Sequence, residues 1–181
     1  MPLVRAGDPR VVSTEEMFPV VEESGLVIGQ MRRSYAHSGA MLLHPVVHLH
    51  IINRFGEIYL QRRSKDKDLL PLYWDTAVGG HISYGEQPLE ALCREAVEEL
   101  GLYDFNPVFL DSYVYQSRTE RELVYVWAAV GNFEIHPDNF EVSGGRYWSE
   151  KEIADALGKD RLTPNFESEY KRFAPSLRSL L

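Results

Sequence analysis

One segment in the middle of the chain, residues 77–101, restricts the fold more than any other. It begins with AVGGHISYGE, where three of ten residues are glycine, and continues into a stretch whose apolar residues recur at helical spacing. Pro88 is a favoured first residue of a helix, and Gly101 is well placed to end it. We therefore predict a helix over Pro88–Leu100 that is preceded by a glycine-rich segment.

Strand patterns lie on both sides of this predicted helix. Residues 18–31 predict two short strands around a turn at residues 23–25, and residues 46–63 predict a second pair around residues 54–56. The rest of the chain predicts a loop at 64–75, strands at 107–115, 123–135 and 144–149, and helices from about 150 and over 166–180. This order indicates an α/β (α+β) fold with helices packed on a mixed sheet.

The composition restricts the class of protein. A chain of 181 residues, 44% of them hydrophobic, can bury one core, and we expect a loose tail at 1–12 and a single domain at 13–181. The net charge of −8 argues against a nucleic-acid polymer as partner, because such a partner requires a cationic surface. With no apolar run long enough for a membrane, no signal peptide and one cysteine, we expect a cytoplasmic protein.

The predicted helix has two different faces. Its apolar residues fall mainly on one side, where we expect Cys93 to be a buried structural thiol. The other side carries Glu95, Glu98 and Glu99 within one turn, where like charges repel by roughly a few tenths of a kcal/mol per pair. Two interpretations follow: a solvated acidic face with Arg94 paired to Glu98, or a site for hard divalent cations, which bind carboxylate oxygens.

The flanking residues favour the cation site. They follow the spacing G-x5-E-x7-R-E-x2-E-E-x-G, carried by Gly80, Glu86, Arg94, Glu95, Glu98, Glu99 and Gly101. In this spacing the chain resembles the Nudix hydrolase family. Ala96 departs from the family pattern, which normally has a larger aliphatic residue there. The resemblance implies an α/β/α sandwich with a mixed sheet and a loop-helix-loop motif.

The same resemblance implies an activity and a set of residues for it. Mg²⁺ or Mn²⁺ is the expected cofactor, and the implied metal-binding set is Gly80, Glu86, Glu95, Glu98 and Glu99. The implied reaction is hydrolysis of a small-molecule diphosphate, a nucleoside diphosphate linked to another group, by metal-activated water.

Catalytic roles are expected for Arg94, Glu95, Glu98 and Glu141. Arg94 would orient a glutamate through a charge-assisted hydrogen bond. Glu141 lies in EVSGGRYW, a segment resembling the one that supplies a further acidic residue in family hydrolases. The general base stays open between a carboxylate of the helix and Glu141. Because family members are often dimers, a homodimer is also expected.

A longer span, residues 18–129, is similar to the isopentenyl-diphosphate isomerase branch of the superfamily. That similarity implies a second candidate metal site, made from His37, His44, His81, Glu120 and Glu122. It also makes Arg63 and Lys67, in QRRSKDK, candidate phosphate contacts, and Trp74 either a substrate wall or a core residue.

One position separates this chain from the isomerase branch. The isomerases have a catalytic cysteine just before the Gly-His pair, and this chain has Gly79 there. Glycine offers no acid or base for proton transfer at carbon. The expectation is therefore a hydrolase, with an isomerase-like enzyme or a non-catalytic nucleotide-binding regulator as alternatives.

Overall fold

The computed structural model describes residues 15–137 and 142–181. Its strands are β1 Met17–Val21, β2 Val27–Arg32, β3 Leu43–Ile52, β4 Ile58–Arg63, β5 Trp74–Thr76, β6 Val78–His81, β7 Val108–Gln116, β8 Arg121–Val130 and β9 Val142–Trp148. Its helices are α1 Arg33–Ala36, α2 Pro88–Leu100, α3 Glu150–Ala156 and α4 Pro164–Arg178. No helix in these two ranges has the length and apolarity needed to cross a membrane.

The main sheet is mixed and is organised around β3. Strands follow one another in the order β5-β4-β3-β8-β7, and β9 pairs with β4. The β3–β8 pair is parallel, whereas the other pairs are antiparallel. The middle of β3, residues 46–49, pairs with the short strand β6, and its last two residues pair with β4. The hairpin β1–β2 forms a separate two-stranded sheet.

Helices cover both faces of this sheet because side chains alternate along β3. Val47, Leu49 and Ile51 point to one face and pack with Leu92 of α2. The other face packs against α3 and α4 in a second core, which contains Ile52, Ile58, Trp148, Ile153, Phe166 and Tyr170. The predicted mixed sheet between helical layers is therefore confirmed.

The predicted helix forms over Pro88–Leu100, as expected. Its N-terminus is closed by a capping box between Gln87 and Glu90, and Gly101 adopts a left-handed conformation with φ of 61°. The predicted apolar face is partly wrong. Cys93 is exposed, whereas Glu99 is only 8% exposed. The sheet covers the side of the helix that carries Leu92, Ala96 and Glu99, and Cys93 is turned away from it.

Other boundaries also differ from the predictions. The predicted loop at 64–75 ends in a strand, because Trp74 and Asp75 pair with β4. The strand predicted over 123–135 ends at Val130. The tail at 1–12 and the candidate residue Glu141 lie outside the described residues.

The two neighbouring residues Leu92 and Cys93 provide a test of the α2 packing. Leu92→Ala is expected to lower the free energy of unfolding by about 2–5 kcal/mol, because the side chain is fully buried and its loss leaves a cavity. Cys93→Ala is expected to change it by less than about 0.5 kcal/mol. Urea unfolding followed by circular dichroism measures both. Equal losses for the two variants would contradict this packing.

Candidate functional site

A cleft of about 980 Å³ opens beside β6 and brings most of the predicted site residues together. Its lining includes residues from the polar face of α2, from β4, from the loop after β4 and from positions 119–120. The predicted residues that line it are His37, Arg63, Lys67, Gly80, His81, Arg94, Glu95, Glu98, Glu99 and Glu120.

Arg94 holds the acidic part of the cleft in place. Its Nε and Nη2 donate to the two carboxylate oxygens of Glu86 at 2.8 and 2.9 Å. Its Nη1 donates to Glu95 at 2.8 Å and to Glu98 at 3.3 Å, and Nη2 also donates to the His81 carbonyl at 2.9 Å. The hydrogen bonds from Arg94 lower the pKa of Glu86. This network is more than the isolated Arg94–Glu98 surface pair that was one interpretation of the sequence.

Two glycines of β6 let the α2 glutamates approach the strand. A Cβ on Gly80 would overlap the Glu95 carboxyl group, so a side chain at this position would displace that carboxylate. The Gly79 N–H donates to Glu99 Oε2 at 3.2 Å, which accounts for the burial of that carboxylate. The motif residues Gly80 and Glu95 thus lie close together, and their binding of a shared cation stays a prediction.

A second group of potential ligands lies at the other side of β6. Donor atoms of His37, His44, His81 and Glu120 all lie within 4.8 Å of one another. The Nε2 atoms of His37 and His81 are 3.2 Å apart. Glu120 Oε2 is 3.1 Å from His37 Nε2 and 3.8 Å from His44 Nε2.

The chemistry of this histidine group fits a divalent transition metal. Within the described ranges, His44 Nε2 and Glu120 Oε2 are buried and have no hydrogen-bond partner, which is costly unless an ion or water binds them. Burial lowers the pKa of His81 and of His44, so these imidazoles stay neutral, as metal ligands must. Phe18 stacks on His81 with ring centroids 4.5 Å apart and fixes that ring.

Glu122, the fifth predicted ligand, is not part of this group of four. Glu122 lies on β8, where it is paired with His44 of the neighbouring strand β3. Burial, together with the charge of Glu120, raises the pKa of Glu122 to about 7. Its membership of a metal site stays a prediction.

The predicted substrate contacts fall in two places. Arg63 and Lys67 line the cleft; Arg63 donates to the Leu69 carbonyl and lies 3.7 Å from Asp75. Trp74 lies outside the cleft lining and packs edge-on against Trp148 at 5.2 Å. Trp74 is partly buried against the second core, and its role as a substrate wall or a core residue stays a prediction.

Comparison with known proteins assigns the fold and the motif to a family. The NUDIX domain profile matches residues 42–167. The chain belongs to the Nudix family. It is 31% identical over 169 residues to the uncharacterized Nudix hydrolase SCO1686 of Streptomyces coelicolor, which covers 91% of this chain and 92% of that protein.

The isomerase-like resemblance of this Nudix protein is also confirmed. Isopentenyl-diphosphate Delta-isomerase 1 of Photorhabdus laumondii is 28% identical over 159 residues, covering 83% of this chain and 90% of the isomerase. Among solved structures, DR0079 from Deinococcus radiodurans has a TM-score of 0.73 at 24% identity and covers 87% of this chain and 98% of its own. At that identity the likeness shows the fold alone.

A buried polar network was missed by the sequence reasoning. Glu169 of α4, which is 2% exposed, accepts from His48 Nδ1 at 2.8 Å and from His50 Nε2 at 2.7 Å. The Tyr113 hydroxyl donates to the same carboxylate. Histidines at alternate positions of an otherwise apolar strand were the available signal, but the partner lies 119 residues or more away in sequence.

Gly80 and Gly79 give a matched pair of variants for the Nudix motif. Gly80→Ala is expected to cost about 1–3 kcal/mol of stability, because the added methyl group displaces the Glu95 carboxyl group. In Gly79→Ala the new Cβ would lie 3.5 Å from its nearest neighbour, an ordinary contact. Its cost is expected to stay below about 1 kcal/mol. Thermal unfolding compares them, and a Gly80→Ala protein as stable as Gly79→Ala would rule out this close approach.

The His48–Glu169 pair predicts a pH dependence of stability. Burial alone lowers the pKa of His48, but the charge of Glu169 and its hydrogen bond outweigh this effect and raise that pKa to about 9. A raised histidine pKa stabilises the fold fully below the unfolded value of about 6.5, and the contribution is lost as the pH rises through 9. The protein should therefore lose about 2 kcal/mol of stability between pH 7 and pH 9. Urea unfolding of His48→Gln should show a flatter profile; parallel profiles would contradict the pair.

Proposed function

We propose that this Nudix protein is a Mg²⁺- or Mn²⁺-dependent hydrolase of a diphosphate linkage in a nucleoside diphosphate joined to another group. The observation that carries the proposal is the cleft itself. Its lining combines the carboxylates of Glu95, Glu98 and Glu99 with the cationic side chains of Arg63 and Lys67. Carboxylates that bind a divalent cation, together with basic groups that donate hydrogen bonds to phosphate oxygens, suit a metal-bound diphosphate.

In this proposal the residues of α2 and β6 hold the metal. Glu86, Glu95, Glu98 and Glu99, with the Gly80 carbonyl, supply oxygen donors of the kind that Mg²⁺ prefers. The bound metal would neutralise the diphosphate and lower the pKa of the attacking water. Arg94 keeps Glu86, Glu95 and Glu98 oriented, since its guanidinium contacts all three.

The remaining roles concern the proton and the phosphate. Attack of water on phosphorus releases a proton, and a carboxylate of the helix or Glu141 would accept it. Arg63 and Lys67 would bind phosphoryl oxygens of the substrate. Hydrolysis then needs no covalent enzyme intermediate, because positioning and charge neutralisation supply most of the catalysis.

Glu99 is the decisive position for this function. Glu99→Gln removes one negative charge from a buried donor and is expected to lower kcat/KM by about 100-fold or more. The control is Glu90→Gln on the same helix, which is exposed and should retain wild-type turnover. Release of phosphate-containing products is measured on a panel of nucleotide sugars and dinucleotides with Mg²⁺ and with Mn²⁺. Unchanged turnover in Glu99→Gln, with an intact fold, would refute the mechanism.

Isomerisation of isopentenyl diphosphate is the second candidate function. The convergence of His37, His44, His81 and Glu120 favours it, and one relative is such an isomerase. Gly79 argues against it, because the residue has no side chain to move a proton. We expect no allylic isomer when the purified protein is incubated with isopentenyl diphosphate and Mg²⁺. Appearance of the allylic isomer in wild type, and its loss in His81→Ala, would favour the isomerase.

A further inference from the structure

His48 lies between the buried network around Glu169 and Gly79, a residue that lines the cleft. It lies opposite Gly79 in the pairing of β3 with β6, and Gly79 lines the cleft. A Cβ on Gly79 would lie 3.5 Å from His48 Cδ2 and 3.7 Å from His48 Nε2. Because glycine has no Cβ, residue 79 leaves this edge of the imidazole uncovered, and the side chain of His48 is 17% exposed.

A hydrogen bond to Glu169 fixes the orientation of the His48 ring. Nδ1 is bound to Glu169 Oε2 at 2.8 Å, and the other oxygen of that carboxylate binds His50. Tyr113 adds a third hydrogen bond to Glu169. A ring held in this way cannot turn, so Nε2 stays on the edge beside Gly79, where the described residues supply no hydrogen-bond partner for it.

The charge of His48 suits an anionic ligand. With Glu169 charged behind it, the ring is an imidazolium, and Nε2 carries a proton to donate. The charges of two further carboxylates, Asp75 on β5 and Glu122 on β8, also raise the pKa of His48. Asp75 lies near Arg63, and burial, together with the charge of Glu120, raises the pKa of Glu122. Burial lowers the pKa of His81 on β6, and His48 in turn helps to lower it.

We propose that His48 is an additional substrate-binding residue, which donates Nε2–H to an anionic oxygen of the substrate in the cleft beside Gly79. Glu169 is the positioning residue that orients the ring. This inference rests on the proposed diphosphate hydrolase function and deepens it. The oxygen belongs either to the diphosphate or to an acidic group attached to it.

Three variants distinguish a substrate contact by His48 from a purely structural role of the buried network. His48→Gln removes the cation, and Glu169→Gln removes the charge behind it. Gly79→Ala leaves the His48–Glu169 bond in place but adds a methyl group at van der Waals distance over the exposed ring edge. A purely structural role of the network predicts normal binding in Gly79→Ala, whereas a substrate contact predicts weaker binding.

The first probe is imidodiphosphate with Mg²⁺, a diphosphate analogue that resists hydrolysis. Calorimetry gives its Kd, and ¹⁵N-histidine spectra report on the rings of the six histidines. We expect the His48 ring signals to move while those of the exposed His136 do not. The Kd should rise about tenfold or more in His48→Gln and in Gly79→Ala, as expected for the loss of a charge-assisted hydrogen bond.

The second probe pair identifies the source of the oxygen. UDP-glucuronate and UDP-glucose differ by one carboxylate, so a preference for the former that disappears in His48→Gln assigns the oxygen to an attached acidic group. Equal affinities of wild type, His48→Gln and Gly79→Ala for all three compounds would overturn the role of His48 alone. Failure of wild type to bind any of them with Mg²⁺ would overturn the proposed function and this inference together.

Discussion

The guanidinium of Arg94 is the interaction on which the geometry of the cleft depends. It contacts the carboxylates of Glu86, Glu95 and Glu98 and the carbonyl of His81. A single side chain thereby forms hydrogen bonds with the loop before α2, with the helix itself and with strand β6. Without it, three carboxylates would repel one another within a few ångströms. A planar group with five donors can satisfy these acceptors together, which a lysine ammonium cannot do in the same way.

The alternation of side chains along β6 explains how one cleft contains two ionic groups. Gly80 faces α2 and leaves room for Glu95, whereas His81 joins the histidine group with His37 and His44. Neighbouring residues of a strand point to opposite faces of a sheet. A strand of four residues is therefore enough to separate a carboxylate-rich side from an imidazole-rich side, and a single substrate placed along it can contact both.

Local patterns in the sequence predicted much of this structure. The limits of α2 follow from Pro88 and Gly101, and the spacing of the motif placed Arg94 among its glutamates. The burial of Glu99 was not predictable from helical arithmetic, because it depends on the Gly79 N–H of a strand that the pattern did not reveal. The Glu169 network was also out of reach. Its members come from β3, β7 and α4, and only the folded sheet brings them together.

The N-terminal hairpin has a consequence for the histidine group beneath it. Phe18 of β1 is fully buried and lies flat against the rings of His44 and His81, with interplanar angles of 12° and 6°. The hairpin therefore packs on ordered imidazole rings, and its packing in turn keeps those rings ordered. By thermodynamic linkage, a ligand that immobilises these rings also strengthens the attachment of the first two strands. Detachment of the hairpin from the domain and release of such a ligand are therefore thermodynamically coupled.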